Sequence, residues 1–159
     1  MGRALDDAHF YLCRTRVPWH SRGVTVREWE SLIWTVPAVQ LADSGLDYRV
    51  IVAADYPTVC IAPPLSGTDC DAPPSAPVVT ANYAHYDSAT GSGAFLDNIV
   101  AWASAPDTGG LMPGGYVDAL RPDAVKTVVG MTDGTSASND TTLATAFDDA
   151  LLALPGAPF

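Results

Sequence analysis

The stretch from Ala124 to Ser138, AVKTVVGMTDGTSAS, decides the fold. Its first half is an apolar, β-branched run without clean alternation, which predicts a strand buried on both faces. The polarity changes at Thr132, so that the carboxylate of Asp133 and several hydroxyls would stand at the carboxyl end of the strand. Ligands bind at that edge of open α/β sheets, which makes Asp133 a candidate ligand group. A plain turn is the alternative, since Asp-Gly is a common turn pair.

Composition excludes several classes of protein. The chain has 159 residues, enough for one domain with a real core, and 48% of them are hydrophobic. The net charge is −10 and Lys plus Arg number eight, so nucleic acid is excluded as a partner and anionic membrane surfaces are disfavoured. No apolar run approaches the roughly 18 residues that a membrane span needs, and the first residues do not fit a signal peptide.

The cysteines predict a covalent loop. Cys60 and Cys70 bracket the Pro- and Gly-rich sequence CIAPPLSGTDC, whose spacing suits a small disulfide loop and matches no metal knuckle. A disulfide would indicate an oxidising compartment. The third cysteine, Cys13, is expected to be a buried thiol.

The remaining patterns predict an α/β alternation. Residues 1–24 form a poorly specified N-terminal segment, and residues 25–159 form the domain. Helices are expected over Thr25 to about Val36 with a second piece through Leu41, and over Ala94–Ala103, Tyr116–Leu120 and Thr141–Leu154. Strands are expected over Leu46–Ala54, Val78–Asp87 and Val125–Met131, with a weak one near Phe10–Cys13. Thr58–Pro77 is expected to be a long loop. This order implies a mostly parallel sheet with helices on both faces.

Several of these segments resemble one protein family. The strand that ends in Thr132-Asp133, the run Gln40–Ala53, the Cys-bounded Pro-Pro-Leu loop and the run Leu120–Val125 are similar to a bacterial, secreted branch of the von Willebrand factor type A family. The resemblance covers about Thr25 to Leu154. It implies a Rossmann-like sheet and a non-catalytic adhesion module that binds a protein ligand. It also implies an extracellular, periplasmic or cell-surface location.

The family has a metal-ion-dependent adhesion site built from three parts, and Mg²⁺ or Mn²⁺ is the cofactor that the resemblance implies. Asp133 fits the third part. Ser92 is the best candidate for the second part, with Ser88 and Thr90 behind it. The first part, Asp-x-Ser-x-Ser, is missing from the segment His20–Val24, where Arg22 would place a cation. The resemblance therefore implies a degenerate site with weak or lost metal binding.

Three alternatives stay open. His85 and Asp87, with Asp133, could hold a metal as one imidazole and two carboxylates. The same residues could serve a hydrolase, since His85, Asp87 and Ser88 are the residue types of a catalytic triad, although no Gly-x-Ser-x-Gly elbow is present. The third alternative is an incomplete domain without independent function, because the family fold continues with further strands and the chain stops at Phe159.

Overall fold

The computed structural model of the chain describes residues 5–12, 39–41, 43–89, 95–122, 124–131 and 141–154. These residues form a mixed α/β fold around a four-stranded sheet in the order β3-β2-β1-β4. The strands are β1 (Leu5–Leu12), β2 (Asp47–Ala54), β3 (Tyr83–Asp87) and β4 (Val125–Met131). All three pairings are parallel, which confirms the predicted parallel sheet.

Strand β1 is longer and more central than the sequence predicts. It pairs with β2 from Leu5↔Asp47 to Tyr11↔Ala53, and with β4 from Asp6↔Val125 to Leu12↔Met131. The sequence predicts only a weak strand near Phe10–Cys13, so the strand over residues 5–12 corrects that expectation. Two acidic residues near its start have low strand propensity, so the sequence pattern does not predict the start of this strand. In the folded chain, pairing with strands on both sides satisfies its backbone hydrogen bonds.

Helices cover one face of the sheet. The α-helices are α1 (Phe95–Trp102) and α2 (Thr141–Leu152), which contact each other, and a 3-10 helix spans Tyr116–Ala119. Their apolar side chains meet the face of β2 that carries Ile51 and Ala53. We call this set the helix-side core; its buried members are Ile51, Ala53, Tyr86, Ile99, Ala103, Met112, Tyr116 and Leu151.

A loop covers the opposite face. Alternate residues of β2 point there and meet apolar side chains from the segment between β2 and β3. We call this set the loop-side core; its buried members are Tyr48, Val50, Val52, Ala54, Val59, Ile61, Leu65 and Tyr83. Leu41, in the helical residues 39–41, packs against it, so helical structure touches both faces.

The predicted disulfide is present in this loop, with Cys60 and Cys70 joined at a Cα–Cα distance of 5.8 Å. The predicted strand Val78–Asp87 is shortened to Tyr83–Asp87. Val78 bonds to the loop instead, since its carbonyl accepts from the N–H of Gly67 at 3.1 Å and its N–H donates to Thr68 Oγ1 at 2.8 Å. Within the described ranges, no helix has the length and apolar character needed to cross a membrane.

Candidate functional site at the carboxyl edge of the sheet

Because the strands are parallel, their carboxyl ends share one edge, marked by Leu12, Ala54, Asp87 and Met131. Among the predicted site residues, Asp133, Ser92 and Thr90 lie outside the described residues, as do His20 and Arg22. His85, Asp87 and Ser88 are described, and they lie at or next to the carboxyl end of β3.

His85 is held inside the protein by both ring nitrogens. Its side chain is fully buried, with Nδ1 at 2.7 Å from the Tyr83 hydroxyl and Nε2 at 3.0 Å from the carbonyl oxygen of Ala54. A carbonyl can only accept, so Nε2 carries the proton, and Nδ1 then accepts from Tyr83. The ring of Tyr56 covers the imidazole edge-on at 5.6 Å between centroids.

Burial sets the protonation state of this histidine. Desolvation lowers the pKa of His85 from its usual value, against the Ala54 hydrogen bond and the carboxylates of Asp87, Asp107 and Asp55, which raise it. The neutral tautomer that the hydrogen bonds require is therefore the favoured one. With both nitrogens occupied, His85 presents no lone pair to a metal ion and no base to a substrate. The predicted metal set and the hydrolase alternative would each require His85 to give up one of these two hydrogen bonds.

Asp87 ties three segments together at the end of β3. Its Oδ1 accepts the backbone N–H of Tyr56 at 2.8 Å, and its backbone carbonyl accepts the N–H of Thr108 at 2.8 Å. The next residue, Ser88, donates its N–H to the carbonyl of Ala54 at 3.2 Å. These bonds fix the carboxylate of Asp87 beside the loop that begins at Asp107.

Asp107 is the functional candidate that sequence reasoning missed. It is only 6% exposed, and its Oδ1 accepts the N–H of Met112 at 2.6 Å while its own backbone bonds to Met112 and Gly110. The other carboxylate oxygen, Oδ2, is buried and has no hydrogen-bond partner. A buried carboxylate oxygen without a partner is costly, so this atom calls for an explanation.

The carboxylates of Asp87 and Asp107 both lie beside Gly109. A Cβ added to this glycine would stand 3.2 Å from Asp107 Oδ2 and 3.4 Å from Asp87 Oδ2. Both oxygens therefore lie on the side of Gly109 toward which a Cβ would project. No sequence signal separates Asp107 from an ordinary turn residue, since Pro-Asp-Thr-Gly-Gly is a common loop composition.

The described cations do not neutralise this pair. Arg49 donates to the carbonyls of Ala81 and Ala119, and Lys126 donates to those of Pro122 and Ala124. Arg121 forms an ion pair with Asp47 at 2.7 Å. These partners lie near the opposite, amino edge of the sheet. The described part of the chain contains no group of three or more His, Cys, Asp or Glu side chains suited to a metal.

A scan against protein-family models, a search of curated proteins and a search of solved structures each find no match to this chain.

Proposed function

We propose that this chain is a von Willebrand factor type A-like module with a Rossmann-like sheet, which binds a protein ligand without catalysis. One observation carries the proposal: in the strand order β3-β2-β1-β4, β2 and β3 extend the sheet on one side of β1, and β4 is added on its other side. The order of addition therefore reverses between the adjacent parallel strands β1 and β4. In open α/β sheets the crevice outside the carboxyl ends at such a reversal is where ligands bind. The proposed binding edge is therefore the one at which β1 and β4 end.

The sequence beyond β4 supports this placement. Asp133 follows Met131, the last residue of β4, by two positions, and hydroxyl residues follow it. Asp133 is proposed as the carboxylate of the degenerate adhesion site. Ser92 is proposed as its hydroxyl partner, with Ser88 and Thr90 as alternatives.

The end of β1 revises where the missing first part of the metal site belongs. Because β1 ends at Leu12, the residues that directly follow it are Cys-Arg-Thr-Arg from Cys13, rather than the segment His20–Val24 considered from sequence. Asp-x-Ser-x-Ser is absent from this position too, and two arginines stand in it. Weak or lost binding of Mg²⁺ or Mn²⁺ is therefore proposed, because one carboxylate and one hydroxyl are a poor octahedral ligand set.

An oxidising location outside the cytoplasm is part of the proposal. It is supported by the Cys60–Cys70 disulfide, since disulfides persist in extracellular and periplasmic compartments. The absence of catalysis is supported by His85, whose two ring nitrogens are both hydrogen-bonded inside the protein.

Binding to a panel of immobilised extracellular matrix and bacterial surface proteins tests the function, with Asp133→Ala and Asp148→Ala as a matched pair. Asp148 is exposed on α2, so its substitution removes the same charge away from the proposed edge. Wild type and Asp148→Ala should bind one panel member equally, and Asp133→Ala at least about tenfold more weakly, which is about 1.4 kcal/mol. Equal binding by both variants would contradict the proposal.

Catalysis is tested separately. The purified chain should leave a panel of generic esters and phosphate esters unhydrolysed above the background rate. Hydrolysis that disappears in His85→Ala would contradict a non-catalytic module and favour the hydrolase alternative.

A further inference from the structure

We propose that Asp87 and Asp107 form a calcium site that fastens the loop after α1 to the end of β3, distinct from the proposed adhesion site at Asp133. The proposal begins from one atom, Asp107 Oδ2, which is buried and unpartnered. Its carboxylate is held in position by the 2.6 Å bond from the Met112 N–H to Oδ1, so Oδ2 cannot turn to another donor without breaking that bond.

The second ligand is aimed at the same space. Asp87 is fixed through Oδ1 by the N–H of Tyr56, which leaves its Oδ2 beside Gly109. Two carboxylate oxygens that flank the same side of one glycine repel each other, and the one from Asp107 is buried away from solvent. A divalent cation between them removes the repulsion and supplies the partner that Asp107 Oδ2 lacks.

The donor chemistry selects the ion. Two carboxylates, with water completing the coordination, are a ligand set for a hard cation. Zinc prefers nitrogen or sulfur ligands, and the nitrogens of the nearby His85 are occupied. Calcium tolerates irregular geometry with ligands at about 2.3–2.6 Å, whereas magnesium demands a near-ideal octahedron and releases water reluctantly. With two protein carboxylates the affinity should fall in the range of extracellular modules, a dissociation constant of about 0.1–1 mM.

The local backbone fits this role. Thr108 donates its N–H to the carbonyl of Asp87, so the loop already touches the end of β3 by one hydrogen bond. A calcium ion would add a second link between the same two segments. The loop then leads to Tyr116 in the helix-side core, so its anchoring should register in global stability.

Two variants remove the site by different means. In Asp107→Asn the amide oxygen can still accept from Met112, while the amide nitrogen replaces the charged Oδ2 and can donate to Asp87. In Gly109→Ala both carboxylates remain, and the added Cβ stands 3.2 Å from Asp107 Oδ2 and 3.4 Å from Asp87 Oδ2, where it obstructs an ion that contacts both. Asp148→Asn, at an exposed position of α2, loses the same charge elsewhere and serves as the control.

The test is thermal unfolding of the chelator-treated chain with and without about 10 mM calcium chloride at constant ionic strength, together with isothermal titration. The melting temperature of wild type and Asp148→Asn should rise by roughly 3–5 °C, with a smaller rise in equal magnesium. Asp107→Asn and Gly109→Ala should show no calcium-dependent rise and no saturable titration.

A separate arm distinguishes this site from the proposed adhesion site, because Asp133→Ala should keep the calcium response. A wild-type response that equals that of Asp107→Asn and Gly109→Ala would overturn the proposal, since it would show only diffuse attraction to an acidic chain. A response lost in Asp133→Ala and kept in Gly109→Ala would also overturn it, because the ion would then bind at Asp133.

Discussion

The two faces of the sheet are covered by different means. On the helix side, α1, α2 and the 3-10 helix supply the buried side chains, and their backbone bonds are satisfied within the helices. On the loop side, irregular chain between β2 and β3 supplies Val59, Ile61 and Leu65, which are as deeply buried as the residues opposite. An irregular cover must satisfy its backbone and lose its conformational freedom by other means.

The loop side meets that requirement with a crosslink and two buried hydroxyls. The disulfide closes the loop between Cys60 and Cys70. Ser66 Oγ and Thr68 Oγ1 lie 2.7 Å apart, and between them they bond the carbonyl and the N–H of Val78. A face of a parallel sheet can therefore be covered by a crosslinked loop instead of a helix, when polar side chains replace the missing helical hydrogen bonds.

The largest expected effect is on the helix side. Tyr116→Ala removes a fully buried ring whose hydroxyl donates to the carbonyl of Ile99 at 2.8 Å, and should lower the free energy of unfolding by about 3–5 kcal/mol. Tyr116→Phe keeps the ring and should cost only about 1 kcal/mol. Urea unfolding measures both. A loss below about 1 kcal/mol for Tyr116→Ala would mean that this core is not closely packed.

The second largest loss of stability is expected on removal of the disulfide. Replacing Cys60 and Cys70 by Ala should lower the free energy of unfolding by roughly 2.5–3 kcal/mol, the value expected for a loop of this length, with a sequence separation of 10. Reductant should destabilise wild type and leave the double variant unchanged. An Ellman assay on the denatured chain should find one free thiol. Three free thiols would show that the disulfide does not form.

A smaller loss of stability is expected when the buried Thr68 hydroxyl of the loop is removed. Thr68→Val keeps the shape of the side chain but leaves the N–H of Val78 without its acceptor, while the Ser66 hydroxyl keeps its bond to the Val78 carbonyl. The unpaired N–H should cost about 1–3 kcal/mol. Thr68→Ser retains the hydroxyl and should cost less. If Thr68→Val and Thr68→Ser have equal free energies of unfolding in urea, the shape of the side chain rather than its hydrogen bonds stabilises the loop.

The smallest effect concerns pH. Burial lowers the pKa of His85 in the folded chain below 6.5, so between the folded and unfolded values the unfolded chain binds more protons. Stability should therefore fall as the pH drops below about 6.5, by at most about 1.4 kcal/mol per unit, and level off below the folded pKa. Urea unfolding at pH 7 and 5.5 should show this loss in wild type, and His85→Gln should lack it. The same slope in both proteins would assign the effect to other groups.

Periodicity predicted the regular elements on the helix side closely. The sequence places β4 at the bounds that the structure has, and places α1 at Ala94–Ala103 against Phe95–Trp102. The sequence pattern did not predict the full length of β1, because Asp6 and Asp7 have low strand propensity. Pairing with β2 and β4 stabilises the strand in the folded chain. The sequence pattern also extended β3 into Val78 and Val79, which are apolar and β-branched yet exposed, and Val78 is hydrogen-bonded to the loop.

The site was predictable only in its general position. A polar motif at the end of a buried strand directs attention to the carboxyl edge, and Asp87 and His85 do lie there. The burial of the imidazole depends on Tyr83 and on the Ala54 carbonyl, which no local pattern connects. Asp107 joins the edge through a loop whose composition resembles any turn, so only the folded chain shows it beside Asp87. Asp133, Ser92 and Thr90, outside the described residues, remain predictions.

The proposed binding module has a degenerate adhesion-type metal site. Isothermal titration with magnesium and with manganese, at about physiological salt to suppress diffuse attraction, tests it most directly. The account predicts no saturable site with a dissociation constant at or below roughly 100 μM in wild type, and no change in Asp133→Ala. A saturable site of that strength, abolished by Asp133→Ala, would contradict the claim, because it would show that other residues complete the ligand set around Asp133.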